Sequence, residues 1–350
     1  MTIKIGKYPN ALLRFIEVIP VSNRGDRTIK ISLDPRSWFK KDVKKPPGFV
    51  GVYRNEHGVA LSYGKLEEGE LCVELCEYAS MPPVNQKDFV KSWVMKHNLK
   101  NADCHYVLNH DEYELQLLET PHVEENEMLE AVRWRLKDLV SMPVEDAVID
   151  AFPLPEDAYR GRIKMLYAVA SSKETIADVL GFIDKSGLSP CVIDIPEMAI
   201  RNMALYLPEM DFGTVAMLQM QENQGEMLMY SHDAMYLTRQ IEMGYASLAH
   251  EPGAFTLDNS VMLERLGLDL QRSLDYYESQ LGKGIASKIY VLPIEDESIY
   301  LEEELHSHIT TPIAVFDYKE FLPVKDDIQL SRRDQAHCLP VIGSVLRRVA

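Results

Sequence analysis

The chain has 350 residues, 46% hydrophobic and 26% charged, which is the composition of a globular protein too long for one compact core and favours two lobes. A net charge of −17 excludes a nucleic-acid-binding surface over most of its length. Residues 1–50 hold eleven Lys/Arg against four Asp/Glu, so the remainder carries −24. No run of eighteen apolar residues occurs, "ALLRFIEVIP" is broken by Arg14 and Glu17, and the five scattered cysteines (Cys72, Cys76, Cys104, Cys191, Cys338) read as reduced thiols of a cytoplasmic protein.

Residues 1–47 form a basic segment that ends in a Pro-Pro-Gly breaker, with residues 1–36 read as a flexible extension. Trp38 and Phe39 beside Lys40, Lys41, Lys44 and Lys45 suit an anionic membrane surface, at about 1 kcal/mol per basic residue. The competing reading is a solvated tail with an aromatic tucked onto the first lobe. From Phe49, "FVGVY", "GVALSYGKL" and "LCVELCEYA" predict an antiparallel meander. "NQKDFVKSWVMKHNL" spaces Phe89, Trp93, Val94 and His97 as a helix does, and strands follow at "CHYVLN" and "YELQLLETP".

The next stretch has an αβ character of its own. A helix is predicted from His122 to Val140, then two strands around the turn "EDAYRGR", then a second amphipathic helix ending at Gly187. A strand running into a helix follows at "CVIDIPEMAIRNMAL". "GTVAMLQM", "GEMLMYS" and "AMYLTRQI" predict a second meander, trailed by a long helix over Ser260–Gln280, the strand "KIYVLP", a helix at "ESIYLEEELHSHI", the strand "PIAVFDY" and a short apolar helix at "LPVIGSVLRR". A meander-plus-helices unit used twice implies two lobes facing each other across a cleft.

Four stretches in this order resemble PilM-type pilus-assembly proteins: the acid-rich helix running into "VEDAVIDAFPLP", "YLTRQIEMG", "LGLDLQRSLDYYESQ" and "LPVIGSVLRR". The chain from Ser37 to Arg348 is most similar to the MshI branch, which serves the mannose-sensitive haemagglutinin pilus. The resemblance implies an α/β actin-like (ribonuclease H-like) fold related to FtsA, with two lobes and a small αβ subdomain inserted in the first. The boundaries then run 48–114 and 189–210 for the first lobe, 115–188 for the insertion, 211–335 for the second lobe, and 336–350 for a helix returning to the first. It also implies a place at the cytoplasmic face of the bacterial inner membrane, other pilus or secretion platform proteins as partners, and a grip on the short tail of a PilN-like bitopic membrane protein.

Members with a complete site bind ATP and Mg²⁺ between the lobes. That chemistry needs glycines whose backbone N–H groups approach the phosphates, an acid in each hairpin for the metal, and a Gly-Gly turn beside the adenosine. Here the first hairpin reads "GVYRNEHG": Gly51 remains, Tyr53 stands in place of the acid, and Arg54 puts a cation where a metal would sit or stands as a surface turn residue. The acid of the second hairpin falls on Gln219 or Gln221, while Asp211 of "DFGT" precedes the strand, and Leu292-Pro293 replaces Gly-Gly. Asp269 and Arg272 match the ribose-side helix and equally suit an exposed i, i+3 ion pair. The expectation is therefore a pseudo-ATPase scaffold with no cofactor. An active ATPase with a rearranged site, or the cytoplasmic subunit of a type II secretion system, stands as the alternative.

Other constellations read as structural. His306 and His308 at i, i+2 diverge on a helix, and the methionines of "MLQMQENQGEMLMYSHDAMY" read as core, though such faces also suit adaptable partners. Cys72 and Cys76, four apart in a strand, are expected to share one face.

Overall fold

The computed structural model describes residues 45–248, 257–296 and 299–347. The flexible extension of residues 1–36 and, Lys45 apart, the membrane-contact reading lie outside the described residues; Lys45 Nζ pairs with Asp103 Oδ1 at 2.5 Å.

Alternating apolar residues build the first meander, β1 (Phe49–Arg54), β2 (Gly58–Glu67) and β3 (Glu70–Ser80), followed by helix α1 (Pro83–Lys96) and strand β4 (Asp103–Val107). Next come β5 (Glu114–Glu119), α2 (Met128–Leu136), β6 (Ala147–Pro153), β7 (Met165–Ser172), α3 (Lys173–Lys185), β8 (Ser189–Asp194) and α4 (Pro196–Ala204). The second meander is β9 (Thr214–Met220), β10 (Gly225–Ser231) and β11 (Ala234–Ile241). The chain closes with α5 (Leu257–Ser279), β12 (Lys288–Val291), α6 (Leu301–Leu305), β13 (Ile313–Val315), α7 (Tyr318–Phe321) and α8 (Arg332–Val345).

Two five-stranded sheets share one topology. The first runs β3-β2-β1-β4-β8 and the second β11-β10-β9-β12-β13. In each, three antiparallel strands are continued by two parallel ones, as crossover helices require. A three-stranded antiparallel sheet, β5-β7-β6, is inserted between β4 and β8. Its own small core joins Leu118, Leu166, Ala168 and Ala170 to Val132 and Leu136 of α2.

Helix α8 returns to the first sheet, where two glycines set how close it can come. At Gly51 a Cβ would stand 2.5–2.7 Å from the Ser62 and Ser344 hydroxyls and the Val341 carbonyl, and at Gly343 a Cβ would run into the Ala199 backbone of α4. Beyond the helix, Arg347 Nη1 donates to buried Asp194 Oδ2 at 3.0 Å and ties the chain end to β8. Desolvation raises the Asp194 pKa, and the guanidinium opposes that shift.

Four sequence expectations need correction. Helix α2 covers only Met128–Leu136, because Glu125–Glu127 form a tight 3₁₀ turn ahead of it. Helix α6 is one short turn rather than the span of "ESIYLEEELHSHI". Helix α8 begins at Arg332, well before Leu339: the Ser331 hydroxyl caps it, and Pro340 sits inside it among buried neighbours. Cys72 and Cys76 do not share a face. The β2–β3 register slips between Tyr63 and Gly64, so that Tyr63 faces Leu75 and Gly64 faces Val73, and Glu74 is the extra residue that reverses the alternation.

Candidate functional site

By the pattern the sequence resemblance implies, a phosphate-binding site would be built at the turn after the first strand of each meander, β1–β2 and β9–β10.

The first turn is closed on itself. Asn55 Oδ1 accepts from the N–H groups of His57 (2.9 Å) and Gly58 (3.0 Å), and Asn55 N donates back to the Gly58 carbonyl at 3.0 Å. This is an Asx turn, the conformation for which Asn competes well. From α1, Gln86 Nε2 donates to the carbonyls of Asn55 (2.7 Å) and Gly58 (3.1 Å). Arg54 is not the free surface residue expected of a turn. Its Nε donates to Tyr106 Oη at 2.8 Å, and its guanidinium lies 4.5 Å from the Phe182 ring centroid of α3. Tyr53 Oη donates to Asn109 Oδ1 at 3.2 Å, and burial pushes the phenol pKa up. Gly51 is occupied in helix packing, as described above.

The second turn is also closed by the chain. Gln221 N donates to the Gln224 carbonyl at 2.8 Å. From the segment after β11, Tyr245 N reaches the Gln221 carbonyl (2.8 Å) and Ala246 N the Glu222 carbonyl (3.0 Å). Gly244 permits the approach, since a Cβ there would strike the Glu222 backbone. Asp211 lies at the head of β9, exposed, so the whole strand (about 23 Å at 3.3 Å per residue) separates it from this turn. Asp269 and Arg272 form an i, i+3 ion pair at 3.1 Å on α5, with the arginine side chain 67% exposed. Five of the six sequence-selected residues are engaged in local packing, hydrogen bonds or an ion pair, Asp211 stands exposed at the head of β9, and the six do not converge on one point.

Sequence reasoning missed two polar junctions between the lobes. In the first, Glu295, past β12, approaches His337 of α8 (Oε2 to Nε2, 3.5 Å), and the His337 ring stacks on Tyr78 of β3 at 3.9 Å. The imidazole holds the Glu295 carboxyl below its usual range against the opposing effect of burial. In the second, Tyr113 Oη donates to both carboxylate oxygens of buried Glu197 at 2.8 Å, while Tyr230 Oη of β10 donates to the Glu197 carbonyl at 2.6 Å. Glu226 of β10 interacts electrostatically with this acid. Thr238 Oγ1 donates to Glu226 Oε1, and burial pushes the Glu226 pKa up to about 7. Glu197 is likewise raised, first by burial and then by Glu226. Two acids that share a desolvated space cannot both ionise readily, so the pair retains a proton near neutral pH.

Among the described residues one acid–thiol cluster has metal-like spacing, with ligand atoms of Glu67, Cys72 and Glu74 within 4.8 Å of one another. Lys65 and Lys325 already pair with both carboxylates at 3.1–3.3 Å, which makes the cluster an ion-pair network. No described helix is long and apolar enough to cross a membrane.

No family model matches the chain, and neither does any curated protein. Solved structures do. A chain of the "PilM-PilN type IV pilus biogenesis complex" superposes with a TM-score of 0.66 at 17% identity, over 86% of this chain and 99% of that one. The cytoplasmic domain of EpsL, an inner membrane component of the type II secretion system of Vibrio cholerae, gives 0.43 at 11% identity over 82% and 92%. A Bacteroides thetaiotaomicron protein with an actin-like ATPase fold gives 0.44 at 8% identity over 77% and 91%. The doubled sheet order and the superposition on the PilM-PilN complex together establish an actin-like ATPase fold with a small αβ insertion.

Proposed function

We propose that this protein is a scaffold of the MshI kind, acting in a type IV pilus assembly platform on the cytoplasmic side of the inner membrane. In this role it binds no nucleotide and grips the cytoplasmic tail of a PilN-like membrane protein. The observation that carries the reading is the closed first turn. A phosphate cradle presents convergent, unpaired N–H groups. Here two of them are committed to Asn55, and the neighbouring cation, Arg54, is folded away onto Tyr106 and Phe182.

Two features support a peptide partner. Strand β5 is an outer strand of the inserted sheet, where an extended tail would gain main-chain hydrogen bonds. At its end lies a cavity of about 660 Å³ lined by Thr120, Pro121, His122, Val123, Glu124, Glu127, Met128 and Lys164. The apolar side chains suit alternating apolar groups of a tail, and the two acids, beside one lysine, suit its basic groups and assist encounter.

Calorimetry decides between this reading and an ATPase with a rearranged site. The scaffold predicts no heat from Mg-ATP and micromolar binding of a synthetic PilN-like tail, weakened about tenfold or more by Glu124→Lys with Glu127→Lys. Micromolar Mg-ATP binding that is lost in Asp211→Ala refutes it.

A further inference from the structure

We propose that residues 155–162 are a strap by which the inserted unit is fastened to the second lobe over a groove, in the engaged position of a conformational pair. Three consecutive residues here are left-handed: Tyr159 (φ 53°), Arg160 (φ 58°) and Gly161 (φ 67°). Two of them carry side chains that disfavour this region, and such backbone persists only where its surroundings hold it.

The second lobe supplies that hold. Asp157 Oδ1 accepts from Tyr236 Oη at 2.9 Å, and Asp157 Oδ2 pairs with Lys283. The Lys283 ammonium in turn sits 4.3 Å from the Tyr236 ring centroid. Tyr159 Oη meets Tyr276 Oη of α5 at 3.1 Å, and Arg160 Nη2 donates to the Ser279 carbonyl at 3.3 Å. Gly282 (φ 73°) makes the seat, because a Cβ there would run into the Arg160 side chain. Behind the strap, Tyr167 of β7 accepts from Thr238 N of β11 at 3.1 Å.

Beside these contacts lies a cavity of about 540 Å³ of mixed character: Phe152, Met198 and Met235 line it together with Arg201 and Asp233, and Pro155 and Glu156 of the strap form part of its wall. Glu156, Asp157, Arg160 and Gly161 are exposed while Ala158 is buried, so the strap is a peripheral segment pinned at one point and held otherwise by polar contacts. Segments of that kind open below the global unfolding free energy. Release would free the inserted unit from the second lobe and open the groove, whose wall mixes apolar and charged side chains.

The test is native-state hydrogen exchange on the full chain, read by mass spectrometry. In Asp157→Ala/Tyr159→Phe/Arg160→Ala the contacts go while the left-handed cost stays. Exchange in residues 155–162 and at Thr238 is expected to rise about tenfold or more, with β1, β2 and β4 unchanged. The milder Tyr276→Phe removes one hydroxyl on the opposite side and should raise exchange in the same residues by a smaller factor. Unchanged exchange in both variants, or an increase spread evenly over both sheets, overturns the proposal. Neither readout depends on nucleotide or tail binding.

Discussion

Replacing Glu226 by Gln should change how stability depends on pH. The Glu226 carboxyl holds its proton up to about pH 7 in the folded protein, against an ordinary 4.5. Because the folded value lies above the unfolded one, this group's stabilisation is complete below pH 4.5 and is lost as pH rises to 7, then stays lost. The difference in proton affinity corresponds to roughly 3 kcal/mol across that window. Two buried histidines act in the opposite direction. His105 and His110 are pushed by burial from 6.5 down to about 4, so their stabilisation is present above pH 6.5 and disappears as pH falls to 4. The wild-type curve therefore mixes rising and falling contributions, and the difference between wild type and Glu226→Gln isolates the acid. A glutamine oxygen can still accept from Thr238, and its amide adds no second charge beside Glu197.

The assay is urea denaturation at pH 5, 6, 7 and 8, comparing midpoints at constant m-value. Glu226→Gln should gain on the wild type with each step from pH 5 to 7 and hold a constant advantage beyond. Adding Glu197→Gln should give less than an additive change, because each buried carboxyl makes the other harder to ionise. Parallel midpoint curves for wild type and Glu226→Gln would refute a raised Glu226 pKa, whatever the absolute stabilities.

Three further outcomes follow from packing and charge. Arg347→Met strands the buried Asp194 carboxylate and should cost about 3–5 kcal/mol, most of it recovered by the Asp194→Leu/Arg347→Met pair in thermal melts. Gly343→Val drives a side chain into the Ala199 backbone and should lower stability by about 1–3 kcal/mol or block folding, whereas Gly69→Ala, with open space at its Cβ but a left-handed φ, should cost about 1 kcal/mol. Asn55→Ala leaves two turn N–H groups without their acceptor and should cost about 1 kcal/mol, yet calorimetry should still show no heat from Mg-ATP.

Much of the architecture was legible because it rests on period. The alternation in "FVGVY" and "GTVAMLQM" placed both meanders, and the apolar spacing of α3 and α5 placed two helices. Boundaries failed where local chemistry outweighed period. Acids from Glu124 to Glu127 read as a helix start but fold as a tight turn, and Pro340 suggested that α8 begins beside it, whereas the Ser331 cap lies nine residues earlier. The bulge at Glu74 carries no sequence mark, so period alone put Cys72 and Cys76 on one face where the register slip separates them. The site was legible only where it is local. "RNEHG" reads as a polar turn between two strands, but Glu295 with His337, and Glu197 with Glu226, are pairs brought together by lobe packing.

The two lobes carry the same sheet, yet each closes its leading turn by different means, which argues that closure itself matters more than any particular residue. In the first lobe a side chain, Asn55, and a helix residue, Gln86, take the turn's polar groups. In the second, the backbone of Tyr245 and Ala246 takes them, through a contact only Gly244 allows. An open phosphate turn left without ligand would expose several unpaired groups, each costly when shielded from water. A scaffold held in one state has reason to satisfy them internally. The same logic governs the lobe interface, where Glu295–His337 lies on one route across and the Tyr230 hydroxyl on the Glu197 carbonyl on another, both joining lobe to lobe with polar groups. Polar contacts at two separate crossings would both have to break for the lobes to part, so opening carries a cost at each of them.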